Sequence, residues 1–234
     1  MSWDADWFST AAHSSMLAWR GVEDQYSLPT TVKLVDSPEE HDLLDEMLEE
    51  SKPPLPPEAE SKHYLLASPF RYQPRSAHRF RPASEKGQWY GSESIEASCA
   101  ELAYWENRCV LDSVGRHDVE IPIQLVFYQA RVSGYSIDLR QEPWVQNRAQ
   151  WTHGADYGAC HALAKAAQER GIEWISYESV RAPGARCAVA FTPSCMFEPE
   201  GSTIEQTIQR WACKYSRSRV MFMSHGQPGY TWDF

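Results

Sequence analysis

The residue types best suited to chemistry lie in one stretch of the chain, 70–105. It contains Arg79, then Tyr90 and Glu101 at two successive steps of eleven residues. Arginine guanidinium groups bind phosphates through paired hydrogen bonds, and an aromatic ring offers a face for stacking. A carboxylate can stabilise the positive charge that develops on a sugar when its glycosidic bond breaks. Together these residues are suited to a dinucleotide that is held at its phosphates and cleaved at a sugar.

The arginines of this stretch admit two interpretations. The segment 70–83 has no acidic residue, whereas the segment 36–60 has ten acidic residues and one lysine. The arginines could bind an anionic ligand, or they could lie in a solvated loop and pair with the acidic segment. Elementary physical chemistry alone slightly favours the second interpretation. The four arginines are Arg71, Arg75, Arg79 and Arg81.

Glu101 lies on a predicted helix, on a face that is not polar. Its neighbours at helical spacing are Ala97, Tyr104 and Trp105. Burying a carboxylate on such a face costs several kcal/mol unless the charge is paired. We therefore expect a partner for this carboxylate, either Arg79 or the diol of a ribose.

Tyr90 and Ser179 each have an ordinary interpretation beside a functional one. Tyr90 ends a predicted strand, where most tyrosines are core residues with a hydrogen-bonded hydroxyl. Ser179 directly follows another predicted strand, where serines usually cap or turn the chain. The Gly-x-Ser-x-Gly pattern of a nucleophilic serine is absent around Ser179.

Several segments resemble the RES family, which is named for its Arg, Glu and Ser. They are PFRY (69–72), HRFR (78–81), WYGSE (89–93), AELAYW (100–105) and YESVR (177–181). The resemblance implies a toxin of a bacterial toxin–antitoxin pair, with a fold similar to ADP-ribosyltransferases. It implies that NAD is consumed as a substrate by phosphorolysis, by hydrolysis, or by transfer of ADP-ribose to a protein.

The resemblance also implies roles for individual residues. Arg79 becomes the favoured pyrophosphate ligand, with Arg71 and Arg81 as further candidates, and Tyr90 lines the NAD pocket. The catalytic candidates it implies are Arg79, Glu101, which would orient the nicotinamide ribose, and Ser179, which would donate a hydrogen bond rather than attack. Arg181, two residues after the serine, could help to hold anions.

Composition limits the partners and the cellular setting. The net charge of −10 argues against direct binding to nucleic acid and to anionic membranes. The eight histidines and six cysteines have no metal-ligand spacing, so no metal is expected. The first residues have neither a basic stretch nor a long apolar run, so we expect no signal peptide. No run of about 18 apolar residues is present, and we expect a cytoplasmic protein. The resemblance implies a cognate, Xre-like antitoxin; a homodimer is a further possibility, and a non-enzymatic binding module is the rival interpretation.

Hydrophobic spacing and turn residues predict an α+β fold with a mixed or antiparallel sheet. We expect an N-terminal helical extension and linker at 1–61, followed by a RES catalytic domain at 62–234. Ser37 is predicted to cap a helix at 35–51 as part of a capping box with Glu40. The other predicted helices are 4–22, 92–107 and 156–170, and the predicted strands are 63–66, 88–90, 121–132, 135–139, 174–177, 187–191 and 219–223.

Overall fold

In the computed structural model, which describes residues 3–24, 31, 34–113 and 120–234, helices pack against one mixed sheet. The strands are β1 (Ala12–Glu23), β2 (Trp89–Ser92), β3 (Ile121–Asp138), β4 (Trp174–Glu178), β5 (Arg186–Ala190), β6 (Met196–Phe197), β7 (Gln209–Tyr215), β8 (Arg219–Met223) and β9 (Tyr230–Asp233). The α-helices are α1 (Pro38–Ser51), α2 (Tyr64–Ala67), α3 (Ile95–Leu111), α4 (Arg148–Trp151), α5 (Gly158–Gln168) and α6 (Ile204–Thr207). Short 3-10 helices span Ala5–Thr10, Pro57–Ala59, Ser68–Phe70, Trp144–Asn147 and Pro193–Cys195. The predicted α+β class with a mixed sheet is confirmed.

The long strand β3 organises the sheet. It pairs antiparallel with β1 over the whole length of β1, from Ala12 opposite Ser136 to Glu23 opposite Leu125. It pairs parallel with β4 and antiparallel with β6 and β7. Because β1 also pairs with β2, and β2 continues through β5 and β4 back to β3, these five strands form a closed ring. The strands β7, β8 and β9 extend the sheet from the first half of β3.

The predicted helix at 4–22 is wrong. Residues 5–10 form a 3-10 helix, and residues 12–23 form β1. Met16 and Ala18 are buried whereas Leu17 between them is 45% exposed, which is the alternation of a strand. The pairing of β1 with a strand about a hundred residues later along the chain overrides the local helical spacing. Residues 12–23 are therefore part of the sheet, and the predicted N-terminal helical extension is not confirmed. The division of the chain at residue 61 stays a prediction.

The acidic helix α1 begins as predicted. Pro38 is its first residue, and the Ser37 hydroxyl accepts a hydrogen bond from the Glu40 amide at 3.2 Å. The Glu40 carboxylate accepts from the Asp36 amide at 2.8 Å, one residue earlier than the capping box predicts. None of the residues of α1 is buried. Three of its apolar residues at helical spacing are exposed, with Leu43 at 57%, Met47 at 59% and Leu48 at 42%.

Further elements differ from their predictions in part. The predicted strand at 63–66 is wrong, because 64–67 is the short helix α2. The two strands predicted at 121–132 and 135–139 are one strand, β3. The strands predicted at 174–177, 187–191 and 219–223 are present within one residue at each end. The strands β6, β7 and β9 were not predicted.

The helix α3 is fixed directly against β1. Ser98 on α3 donates from its hydroxyl to the Trp19 carbonyl of β1 at 3.0 Å. A side chain at Gly21 would meet Leu102 and Phe127, with a Cβ only 2.6 Å from the nearest atom of each. The absence of a side chain at Gly21 therefore lets helix and strand approach closely. This contact places the helix that carries Glu101 over the strand ring.

Candidate active site

A cleft of about 290 Å³ lies between α3, the strands β1 and β2, and the arginine loop at 72–87. Arg79, Tyr90 and Glu101 all line it. The side chains spaced by eleven residues in the sequence therefore share one cavity. None of the helices in the described part of the chain combines the length and the apolar character that a membrane crossing needs.

The Glu101 carboxylate is held by Ser179. The serine hydroxyl donates to Glu101 Oε1 at 2.6 Å, and it accepts from the amides of Arg181 at 3.2 Å and Ala182 at 2.9 Å. Since two amides already point at the oxygen, the hydroxyl proton is directed to the carboxylate. Ser179 is only 1% exposed. The side-chain partner of Glu101 is thus Ser179 and not Arg79, which forms no ion pair with it. Ser179 both turns the chain and orients the carboxylate.

Arg79 is anchored at one end of its guanidinium. Its Nη1 donates to the carbonyls of Trp151 and His153, both at 2.9 Å. The guanidinium carbon lies 4.9 Å from the centroid of the Tyr157 ring, a cation–π distance. The residue is 8% exposed and has no carboxylate within 4.0 Å among the ion pairs of the described residues. Its charge is therefore available to an anion in the cleft.

The structure separates the other two predicted arginines from this arrangement. Arg71 does not line the cleft; it forms an ion pair with Glu49 of α1 and donates to the Pro53 carbonyl. For this residue the interpretation as an ion pair with the acidic segment is the one observed. Arg81 lies at the cleft wall but is 1% exposed, and its guanidinium donates to loop carbonyls, among them those of Pro74 and Ser76.

Tyr90 has its hydroxyl within the protein. The hydroxyl donates to the Gln88 side chain at 2.8 Å and accepts from the Phe80 amide at 3.3 Å. Burial raises the pKa of Tyr90 above its ordinary value, so the hydroxyl stays protonated. Next to it the His78 ring lies 5.6 Å from the Tyr90 ring and 4.8 Å from that of Trp105. Tyr90 therefore contributes its aromatic ring to the cleft and not its hydroxyl.

Several lining residues were absent from the sequence-based site or had only a minor place in it. Tyr157 directly precedes α5, and no motif in the sequence around it indicates a binding role. Arg181 lies with its guanidinium carbon 3.4 Å from the centroid of the Tyr104 ring and donates to the Gly154 carbonyl at 2.7 Å. Arg20 enters from β1. Because residues 4–22 were predicted to form a helix, Arg20 was not included in the predicted site. A correct prediction of the strand would have placed Arg20 beside β2.

The charges of the cleft are strongly unbalanced. Four arginines line it, against the single carboxylate of Glu101. Burial, together with the nearby charges of Arg81 and Arg20, lowers the pKa of His78 to about 4. The imidazole is therefore neutral at physiological pH. An arginine-lined cavity in a protein of net charge −10 is suited to an anionic ligand of low molecular weight.

The fold and the site define an α+β protein with an arginine-lined cleft around a serine-bound glutamate. Comparison with protein families matches residues 55–213 to the RES domain, and the chain belongs to the RES domain family. Among solved structures it is similar to the crystal structure of the M. tuberculosis MbcT–MbcA toxin–antitoxin complex. That match has 11% identity and a TM-score of 0.48, and it covers 92% of this chain and 94% of the other. Among curated proteins, no match was found.

Proposed function

We propose that this protein is the toxin of a toxin–antitoxin pair and that it cleaves the nicotinamide glycosidic bond of NAD. The observation that carries the proposal is the Glu101 carboxylate, fixed by Ser179 in a cleft whose other charged lining residues are arginines. NAD combines an anionic diphosphate with a ribose that becomes cationic during cleavage. The cleft supplies opposite charges for both parts.

Binding of the dinucleotide rests on Arg79 and the aromatic walls. The anchored guanidinium of Arg79 meets the diphosphate with little loss of side-chain freedom, since two carbonyls already fix it. The rings of Tyr90, Trp105 and Tyr157 provide flat apolar surfaces for the two bases. Membership of the RES domain family supports this placement of NAD.

The chemical step rests on Glu101. As the bond between ribose C1′ and the nicotinamide nitrogen breaks, its electron pair leaves with nicotinamide and the ribose gains positive charge. The carboxylate stabilises that charge, and the Ser179 hydrogen bond holds it in position. Water or phosphate then bonds to C1′ and releases a proton to the solvent if water is the acceptor. The products are nicotinamide and ADP-ribose, or its phosphate ester.

Replacement of Glu101 tests this function. We expect wild-type protein mixed with NAD to release nicotinamide, and Glu101→Gln to lower kcat by about 100-fold or more. Glu96→Gln is the matched control: it makes the same change on the same helix at an exposed position outside the cleft. We expect its activity to equal that of the wild type. Equal activity of Glu101→Gln and the wild type would remove the carboxylate from the reaction.

The same assay identifies the acceptor of the ADP-ribosyl group when it is run with phosphate, without phosphate, and with host proteins and labelled NAD. Phosphate-dependent nicotinamide release would identify a phosphorylase, and release without phosphate a hydrolase. If labelled ADP-ribose instead appears on a host protein, the activity is ADP-ribosyl transfer, the alternative within the same site. If the protein is toxic in all arms without consuming NAD, and Glu101→Gln remains toxic, the protein is a binding module.

A toxin of this kind requires an inhibitor in the same cell. We propose a cognate, Xre-like antitoxin whose bound segment covers the cleft near the arginine loop. Coexpression of the adjacent gene product with the toxin tests this: we expect restored growth and a complex that protects the cleft from NAD. Light scattering of the toxin alone tests the predicted homodimer.

A further inference from the structure

The helix α1 has an apolar surface that lies open to the solvent. Leu43 and Met47, one turn apart on the helix, are both exposed, and none of the fourteen residues of α1 is buried. A helix of this length is marginal in water by itself, and helices in folded proteins gain most of their stability by packing an apolar face. A partner that covers Leu43 and Met47 would supply the packing that α1 lacks.

Carboxylates border this apolar surface. Glu39, Glu46 and Glu50 are each three or four residues away from Leu43 or Met47, so they lie beside these side chains on the helix. None of the three forms an ion pair with another described residue. The outer face of α1 therefore has an apolar centre and a border of carboxylates that are not compensated by a cation.

A second copy of the chain does not suit this face. Seven of the residues of α1 are acidic, and none is lysine or arginine. Two copies paired through α1 would bring both acidic sets together, and like charges across an interface cost several kcal/mol. A partner with apolar side chains and a border of lysine and arginine is complementary in both respects. An amphipathic helix is the usual element that binds in this manner.

The helix α1 lies next to the mouth of the cleft. Its Glu49 forms an ion pair with Arg71, the residue that precedes the arginine loop. The next residue, Tyr72, lines the cleft and is exposed. A protein segment that covers the cleft near the arginine loop is therefore also close to α1.

We propose that the outer face of α1 is a docking surface for a basic amphipathic helix of the antitoxin. This inference rests on the proposed function for the identity of the partner. The surface is distinct from the cleft, because the residues that form it do not line the cleft. The helix α1 thus adds affinity for the partner and takes no part in binding NAD. The residues of the surface are Leu43, Met47, Glu39, Glu46 and Glu50.

The test titrates the purified product of the adjacent gene into the full-length protein by calorimetry. Two variants, Leu43→Ala/Met47→Ala and Glu39→Gln/Glu46→Gln/Glu50→Gln, replace the apolar centre and the charged border with residues that favour helix. We expect the alanine variant to bind about tenfold or more weakly than the wild type. We expect the glutamine variant to bind about fivefold more weakly, with an affinity that falls less steeply as NaCl is raised.

Two control variants make the same types of change elsewhere on the surface. Leu111→Ala/Met223→Ala removes two other exposed apolar side chains. The charge control replaces three exposed glutamates that have no ion pair among the described residues. We expect both controls to bind as the wild type does, and circular dichroism to show unchanged helix content in all variants. If the alanine variant loses helix content, the glutamine variant decides. The charge control is Glu142→Gln/Glu169→Gln/Glu200→Gln.

Three outcomes would overturn the inference. The first is failure of the wild type to bind the product of the adjacent gene, and the second is wild-type affinity in either folded α1 variant. The third is a dimer of the wild type, seen by light scattering, that becomes a monomer in Leu43→Ala/Met47→Ala, because the occupant would then be a second copy.

The proposed function fails separately. Without the partner, both α1 variants should release nicotinamide from NAD at the wild-type rate, since α1 lies outside the cleft. A wild type that binds the partner through α1 but releases no nicotinamide retains the docking surface and loses the reaction.

Discussion

At the scale of single residues, the contact between Ser179 and Glu101 is the one on which the chemistry depends. The serine touches the carboxylate and two backbone amides, and we assign it no contact with the reacting bond. In the proposed reaction it is a positioning residue. Its effect on the reaction should therefore appear in kcat more than in KM, because the carboxylate is needed only when charge develops.

Ser179→Ala is expected to lower kcat by about 10- to 100-fold, with KM for NAD little changed. Two amides also lose their acceptor, so the free energy of unfolding should fall by about 1–3 kcal/mol. Steady-state kinetics and urea denaturation measure the two effects. Ser194→Ala is the control, since Ser194 also donates to a carboxylate, that of Glu173 at 3.0 Å, on an exposed part of the surface. An unchanged kcat in Ser179→Ala would contradict the positioning role.

The lowered pKa of His78, a residue of the cleft, makes the free energy of unfolding depend on pH. Its pKa is about 4 in the folded protein, lowered by burial and by Arg81 and Arg20, and about 6.5 in the unfolded chain. Between these values the unfolded chain binds more protons, so stability falls as the pH decreases from about 6.5 to 4. The expected loss from this group is about 2 kcal/mol between pH 7 and pH 4.5.

His78→Phe keeps an aromatic ring and removes the titrating group. We expect its free energy of unfolding to decline less than that of the wild type between pH 7 and pH 4.5. Urea denaturation at the two pH values measures the difference. His225→Gln, at an exposed position, should follow the wild type. If His78→Phe and the wild type decline equally, the imidazole does not couple to folding in this range.

At the scale of elements, the loop at 72–87 depends on Arg81. Its Nη1 donates to the carbonyls of Pro74 at 3.0 Å and Pro82 at 3.1 Å, and its Nη2 donates to that of Ser76 at 2.6 Å. A single side chain thus supplies donors to carbonyls along the loop that carries Arg79. We interpret Arg81 as the residue that shapes the binding loop.

Arg81→Met should lower the free energy of unfolding by about 3 kcal/mol, because several carbonyls of the loop lose a buried, charged donor. Arg75→Met in the same loop should change it by less than about 0.5 kcal/mol, since Arg75 is exposed. Urea denaturation provides the measurement. Unchanged stability together with lost ADP-ribose binding in Arg81→Met would instead make Arg81 a direct ligand.

The sequence predicts those elements best whose signals are local. Ser37 and Pro38 mark the start of α1, and helical spacing around Glu101 marks α3. Local residue spacing does not predict β1, because its strand conformation depends on pairing with β3. The same error left Arg20 out of the predicted site. The partner of Glu101 is not predicted either, because only the folded chain brings Ser179 beside it.

At the scale of the whole molecule, acidic and basic groups are separated. The acidic residues of 36–60 lie largely on α1, which has no buried residue. Its Glu49 forms an ion pair with Arg71, the residue that precedes the arginine loop. Four arginines that form no ion pair with a carboxylate among the described residues line the cleft: Arg20, Arg79, Arg81 and Arg181. The net negative charge of the protein repels an anion at long range, whereas the arginines of the cleft attract it at short range. The affinity for the proposed anionic substrate therefore depends on the fixed guanidinium groups rather than on long-range steering.

Two N-terminal segments, β1 and α1, should differ in their importance to the fold. A chain of residues 62–234 lacks β1, which opens the strand ring and exposes the edge of β3 along its whole pairing with β1. We expect this chain to show no cooperative thermal unfolding by circular dichroism and to aggregate. A full-length chain in which 38–51 is replaced by fourteen residues of glycine and serine is the control, because α1 contributes no buried side chain. It should unfold cooperatively at nearly the wild-type temperature and keep its affinity for ADP-ribose. Cooperative unfolding of 62–234 at the wild-type temperature would instead support the predicted division of the chain at residue 61 and would make β1, with Arg20, dispensable to the fold.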